Sequence, residues 1–275
     1  MIEAKAGEKK MLQFGAMNNP VLPLMAELER VAAMGMNYLE LTMDAPMAHY
    51  QTVKKLRKEI QAGLRKHGLG VVCHMPTFVS TADLTRSLRQ ASWEEVRHSL
   101  ETAVQLGADK VVLHPSCITG LGPLVMADAM GYARDFLDDM VQFARPLGMT
   151  ICLENMFPRC HAFYRPAHFQ AVLDDHPDLQ LTLDTGHASI ADSGKRLLRF
   201  IRRHGNRIGH LHVSDNHMRS DEHLPVGAGS IDFPAVVRAL KDLAYRGTVT
   251  LEIFTGEDRD IIESRNLFST LWETA

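Results

Sequence analysis

Short apolar runs and amphipathic stretches alternate along the whole chain, and no other feature restricts its fold as much. Strand-like runs are read at 11–17, 38–43, 69–74, 110–114, 149–154, 179–184, 208–213 and 248–254. Between them lie stretches such as PLMAELERVAAMGMN, VKKLRKEIQAGLRKHG and EEVRHSLETAVQLGA, whose apolar residues recur at three and four, the helical period. VVCH, VVLH, ICLE and LTLD are continuous apolar runs, the pattern of parallel strands covered on both faces. Eight such βα units in 275 residues predict an α/β fold whose sheet closes into a (β/α)8 barrel, as a single domain. A doubly wound open sheet would carry a glycine-rich first turn, and here the first turn reads GAMNNP instead of GxGxxG.

Local signals agree with this order. Gly35, Gly68, Gly107, Gly148 and Gly247 fall where helices should end. Ser92 with Glu95 reads as a capping box opening the third helix, and Asp232 with Pro234 opens the helix after strand seven. The longest loop, 214–231, is polar and contains glycines, which suits an active-site loop. The barrel domain is expected over 11–275, preceded by a flexible N-terminal tail at 1–10. That tail, MIEAKAGEKK, has no apolar segment of a secretory signal, and no run approaches the ~18 apolar residues of a membrane span. A cytoplasmic protein without a membrane partner is the expectation. The four cysteines, Cys73, Cys117, Cys152 and Cys160, show no CxxC spacing and are expected to be reduced thiols. A net charge of −3 excludes the strongly basic footprint of a general nucleic-acid binder.

In such a barrel the chemistry sits at the C-terminal ends of the strands. Strand three ends in His74, strand four in His114, strand five in Glu154 and strand six in Asp184, with His187 three residues on. Strand seven carries His210 and His212, its loop Asp221 and His223, and strand eight Glu252. Unpaired carboxylates crowded into a barrel mouth would repel one another and be costly to desolvate. A divalent cation relieves both, and mixed imidazole and carboxylate donors suit Zn, Mn, Fe or Co, with Zn or Mn preferred here. His212 lies nearer the mouth and is taken as the ligand; His210 is read as a supporting or core residue. Met17, Asn18, Glu40 and Asp44 come from strands one and two and carry no assigned role. Arg159, His161, Arg165 and Arg219 lie on the loops after strands five and seven, where they are available to an anionic substrate.

Taken together, LENM, LDTGH, HLHVSDN and LEIF make the whole chain resemble the xylose isomerase-like TIM-barrel superfamily of sugar isomerases, sugar epimerases and endonuclease IV. The resemblance implies a metal held by Glu154, Asp184, His212 and Glu252. His74, His114, His187, Asp221 and His223 fall where endonuclease IV places the rest of a three-metal set, so one to three ions are implied. Against the DNA enzyme, HVSDNHMRSDEH is shorter than its counterpart, and Met75, Pro76 and Thr77 follow His74 where a Tyr is expected.

Two activities follow as expectations. The first is a metal-dependent isomerase or epimerase acting on a small sugar or sugar phosphate through an enediolate. Glu154 and Glu252 would be the proton-transferring groups, and His187, Arg159 and Arg219 would bind substrate. Backbone N–H groups around Gly227 to Ser230 would receive a phosphate. The second is an endonuclease IV-like multi-metal phosphoesterase, with nucleic acid as a partner only in that case. The helical exterior is compatible with a homo-oligomer.

Overall fold

The computed structural model describes residues 12–275, so the tail expected at 1–10 lies outside the described residues. Eight parallel strands form a closed barrel: β1 Gln13–Met17, β2 Tyr38–Thr42, β3 Gly70–His74, β4 Lys110–Leu113, β5 Thr150–Glu154, β6 Gln180–Asp184, β7 Ile208–Val213 and β8 Thr248–Leu251. Each strand pairs with the next, and β8 closes onto β1 with Phe14 opposite Val249. All eight expected strands are present. The fourth and eighth stop one residue before His114 and Glu252, which head the following loops.

The helices are α1 Leu24–Ala33, α2 Tyr50–Lys55, α3 Arg57–His67, α4 Arg86–Leu106, α5 Met126–Ala144, α6 Pro166–Asp175, α7 Thr185–Ser189, α8 Lys195–His204, α9 Phe233–Asp242 and α10 Asp258–Thr274. Asp232 caps α9 as expected, accepting from the Ala235 N–H at 3.0 Å. The capping box does not form. α4 begins upstream at Arg86, because RSLRQA carries the helical pattern back toward β3. Ser92 then lies inside the helix and accepts from the Ser80 N–H, while Glu95 faces His49 at 2.9 Å. Gly35, Gly68, Gly107 and Gly148 adopt the left-handed conformation that ends a helix; Gly247 does not. It is required for space instead, since a Cβ there would stand 2.2 Å from the Tyr245 hydroxyl.

Strand periodicity divides the buried side chains into two sets. Leu39, Leu41, Val111, Leu113, Leu153, Leu183, Leu211 and Val249 join the main core with the inner faces of the helices. Phe136, Phe169, Phe200, Phe233 and Phe268 fill that layer and are fully buried. Burying each is worth about 1.5–3 kcal/mol. The alternate residues point into the barrel. Tyr38, Val72 and Val112 form a separate apolar floor, and above it the interior turns polar with Glu40, Thr250, His210 and His212. The fold therefore spends its apolar residues outside the sheet and reserves the upper interior for chemistry.

The expectation of four reduced thiols is corrected. Cys117 and Cys160 form a disulfide, while Cys73 and Cys152 are free and buried. The loops after β4 and β5 are neighbours at the barrel mouth, where Ile118 N–H donates to the Cys160 carbonyl at 3.1 Å. Adjacency of strands thus brings together two residues 43 apart in sequence, their Cα atoms 4.5 Å from one another.

Candidate metal centre

β7 places His210 and His212 on the inner face of the barrel, one above the other. Both rings meet one carboxylate from the opposite wall. Glu40 on β2 takes His210 Nε2 on Oε2 and His212 Nε2 on Oε1, each at 2.9 Å. All three side chains are fully buried. Burial works to raise the Glu40 carboxyl, but His212 and His210 hold it well below the usual carboxylate range. With His212 Nε2 donating to Glu40, its Nδ1 is left as a bare acceptor aimed at the barrel mouth. This is the arrangement in which a carboxylate fixes the tautomer of a metal-binding imidazole.

Around that nitrogen stand the other three predicted ligands. His212 Nδ1 lies 3.0 Å from Glu252 Oε2, 3.5 Å from Glu154 Oε2 and 3.9 Å from Asp184 Oδ2. Each of the four residues offers an atom within 4.8 Å of those offered by the others. Asp184 is positioned by its own backbone. It ends β6, caps α7 by accepting from the His187 N–H through Oδ1, and so turns Oδ2 to the site. Asn155, next to Glu154, locks β5 to β6: its Oδ1 accepts from the Asp184 N–H at 2.9 Å and its Nδ2 donates to the Asp184 carbonyl.

Satisfaction of the donor atoms tests whether this set fits a cation. Eleven buried side-chain atoms lack a hydrogen-bond partner among the described residues. Five of them are both Glu154 carboxylate oxygens, Asp184 Oδ2, His212 Nδ1 and Glu252 Oε2. They lie close together, yet no hydrogen bond joins any two of them. Two charges 4 Å apart repel by about 4 kcal/mol at an effective dielectric of ~20, so three such carboxylates cannot remain ionised unaided. Within the protein alone the three carboxylates diverge: burial opposes ionisation of Glu154, but His212 and His114 hold it well below the usual carboxylate range. Burial, with Glu252 and Glu154 adding to it against the pull of His187, pushes the Asp184 carboxyl up to about 8. Burial also opposes ionisation of Glu252, but His212 and His223 bring it down to about 2. A divalent cation bound by two or three carboxylates and one imidazole matches the donors present.

The remaining predicted ligands form two flanking groups. His74, His114 and Glu154 converge, with the imidazole Nε2 atoms 3.5 and 3.1 Å from Glu154 Oε2. On the other side Asp221 Oδ2 lies 3.2 Å from His187 Nε2 and 3.1 Å from His223 Nε2. Backbone carbonyls hold the far nitrogens: Nδ1 of His74, His187 and His223 meets the carbonyl of Met75, Asn155 and Glu252 respectively. Burial opposes protonation of His223, but Glu252 and Asp221 raise it to about 9.

These groups floor a cavity of about 850 Å³ at the barrel mouth. Met17, Asn18 and Asp44 line it, as do Phe78 and Phe254 at its rim; Glu40 lies beneath it. Arg159 and Arg219 are exposed and are not among the lining residues. The phosphate cradle expected at Gly227 to Ser230 is already filled by the protein itself. Asp215 accepts the N–H groups of Gly227, Gly229 and Ile231 at 2.9 to 3.1 Å, and the Asn216 carbonyl takes that of Ser230. Sequence reasoning gave no role to Glu40, Asn155 or Asp215. A charged residue in the middle of YLELT, on a strand buried throughout, was the available signal for the first.

The model of the xylose isomerase-like TIM-barrel family matches residues 28–270. An uncharacterised protein of Methanocaldococcus jannaschii is 27% identical over 95% of this chain and 90% of its own length. An L-ribulose 3-epimerase of a Methylomonas species is 31% identical over 37% of this chain and 35% of its own. Among solved structures, a D-tagatose 3-epimerase-like protein superposes with a TM-score of 0.84 at 25% identity, covering 95% of this chain and 97% of that one. No helix among the described residues is long and apolar enough to cross a membrane.

Proposed function

Because the chain belongs to the xylose isomerase-like TIM-barrel family, we propose that it is a metal-dependent epimerase or isomerase of a small, uncharged ketose. One observation carries the reading: four buried donor residues converge with unpartnered atoms, and one of them, Glu252, lines the barrel-mouth cavity. Similarity to a ribulose epimerase and to a tagatose epimerase-like protein supports the substrate class.

Glu154, Asp184, His212 and Glu252 would hold the cation. When bound, it supplies Lewis acidity to neighbouring carbonyl and hydroxyl oxygens, which acidifies the adjacent C–H. Glu154 and Glu252 approach from β5 and β8, which lie on different sides of the barrel. One carboxylate removes the proton from one face of the sugar carbon, and the other returns a proton to the opposite face of the enediolate. His187 and His223 stand beside Asp221 in the same cavity, where they would hold a substrate hydroxyl. The uncharged substrate follows from the lining. It contains no Lys, and its one Arg, Arg30, is occupied by Glu27, Asp258 and the Met17 carbonyl. A phosphate would meet no Lys and no unpaired Arg there, only imidazoles already facing Asp221 or Glu154, and the backbone cradle is taken by Asp215.

The test is proton exchange. Protein loaded with Mn²⁺ is incubated with a panel of free ketohexoses and ketopentoses in D2O, and deuterium at the carbon beside the carbonyl is followed by NMR. Incorporation with at least one ketose, abolished in Glu154→Gln, is expected; no exchange across the panel would overturn the proposal.

The flanking groups favour a second reading. Glu154 is shared between the quartet and the His74–His114 pair, as a carboxylate bridging two ions would be. In that case the protein hydrolyses a phosphoester with two or three metals. Hydrolysis of phosphoesters, including nicking of abasic duplex DNA, with no ketose exchange would decide for it.

A further inference from the structure

A second cleft, also of about 850 Å³, opens on the outer side of the loop that follows β5. It shares no lining residue with the barrel-mouth cavity; the two are parted at Phe157 and Pro158. Its walls come from the N-terminal turn of α6 and from one side of α8 along its whole length, from Arg196 to Arg203. Five arginines line it, Arg165, Arg196, Arg199, Arg202 and Arg203, against a single carboxylate, Asp192. Asp192 is paired with Arg199. The other four arginines form no ion pair among the described residues, although each stands near another cation.

Arg196 distinguishes this cleft from a solvated basic face. It is 6% exposed, and its Nε is one of the buried atoms without a partner. Its Nη2 meets the backbone carbonyls of Ile190 and His187 at the end of α7. A guanidinium is left with an unused N–H in a place where burial works against its charge and lowers its pKa. Tyr164 provides an aromatic wall, with the Arg165 and Arg196 guanidinium carbons 4.9 and 5.7 Å from its ring centre. An unpaired buried cation such as Arg196 is costly, and planar guanidinium groups, here Arg196 with the exposed Arg165, Arg199, Arg202 and Arg203, are suited to bidentate contact with phosphate or carboxylate.

We propose that this cleft is a binding site for a small multiply charged anion, a bisphosphorylated or polycarboxylate metabolite, separate from the metal centre. A concave pocket of limited volume in a chain of net charge −3 favours such a ligand over an extended polyanion. Arg196 joins the cleft to the carbonyl of His187, so an occupant that draws the guanidinium toward itself changes the support of a cavity residue.

The experiment is isothermal titration of the full chain with 2,3-bisphosphoglycerate, with sodium chloride and sulfate at matched ionic strength as controls. Glu154→Gln serves as background, so that chelation at the metal centre does not contribute. Saturable binding is expected, weakened at least tenfold in Arg165→Ala/Arg202→Ala. Neither of those side chains makes a hydrogen bond or ion pair among the described residues, so the variant keeps its fold contacts. Arg196→Lys should weaken binding as well, with folding checked by circular dichroism. Equal heats from wild type and the Arg165/Arg202 variant, or none beyond those of the controls, would overturn the proposal. So would tight binding of duplex DNA without binding of the small anion.

Discussion

His210 and His212 are two residues apart on one strand, point the same way, are fully buried and share Glu40. They differ in what meets the second ring nitrogen. His210 Nδ1 contacts the Thr248 hydroxyl at 2.6 Å, so both its nitrogens are used. His212 Nδ1 has no hydrogen-bond partner and faces three carboxylates. Their pKa directions diverge too. Burial lowers His210 despite Glu40, whereas burial of His212 is outweighed by Glu40, Glu154 and Glu252, which raise it well above the ordinary value. Residue type and depth do not separate the two histidines; completion of their hydrogen bonds does. Asp215 and Asp184 repeat the lesson among carboxylates: the first is closed by four backbone N–H groups, the second leaves Oδ2 open.

The comparison is broken most severely at Glu154, which serves the open layer alone. Glu154→Gln should lower kcat about 10³-fold, in the range of a lost acid–base group, with an unchanged circular dichroism spectrum. Glu40 connects the layers, so Glu40→Gln should weaken metal affinity about 10–100-fold, as loss of an orienting carboxylate does. Unchanged metal affinity in that variant would separate the layers and remove Glu40's role. Chelation should cost stability as well. At a metal concentration of 100 times Kd the bound ion contributes about 2.7 kcal/mol, read as a fall in Tm on adding EDTA. His210→Phe removes one partner each from Glu40 Oε2, which keeps the Thr250 hydroxyl, and from the Thr248 hydroxyl, which keeps Lys110, and should destabilise by about 1–3 kcal/mol in urea while affecting metal affinity less than Glu40→Gln. The smallest effect concerns the thiols. Burial pushes Cys152 up to about 12, opposed slightly by Lys110, and raises Cys73 as well, so neither should react with a thiol reagent in the native protein at neutral pH. Denatured protein should show two thiols before reduction and four after.

The strands and the open layer were legible in the sequence for one reason. Glu154 and Asp184 end β5 and β6, Glu252 follows β8 and His212 is the last but one of β7, so the pattern that defines the strand also marks these candidate ligands near its C-terminal end. Glu40 was not marked in this way, because its importance depends on β7 facing β2 across the barrel, a relation that pattern along the chain does not contain. The Cys117–Cys160 pair shares that property, being set by two loops meeting at the mouth, whereas the Asp215 cradle is a fold of the single loop between β7 and α9. Ser92 and Glu95 show the opposite failure, a local motif overridden by a helix that starts earlier.

Direct titration with Mn²⁺, wild type against Glu154→Gln, tests the central claim that the unpartnered quartet is a cation site. The account predicts at least one ion per wild-type chain and a tenfold or greater loss of affinity in the variant. A wild-type protein that binds no ion at millimolar Mn²⁺ or Zn²⁺, or a variant that binds as tightly as wild type, would contradict it.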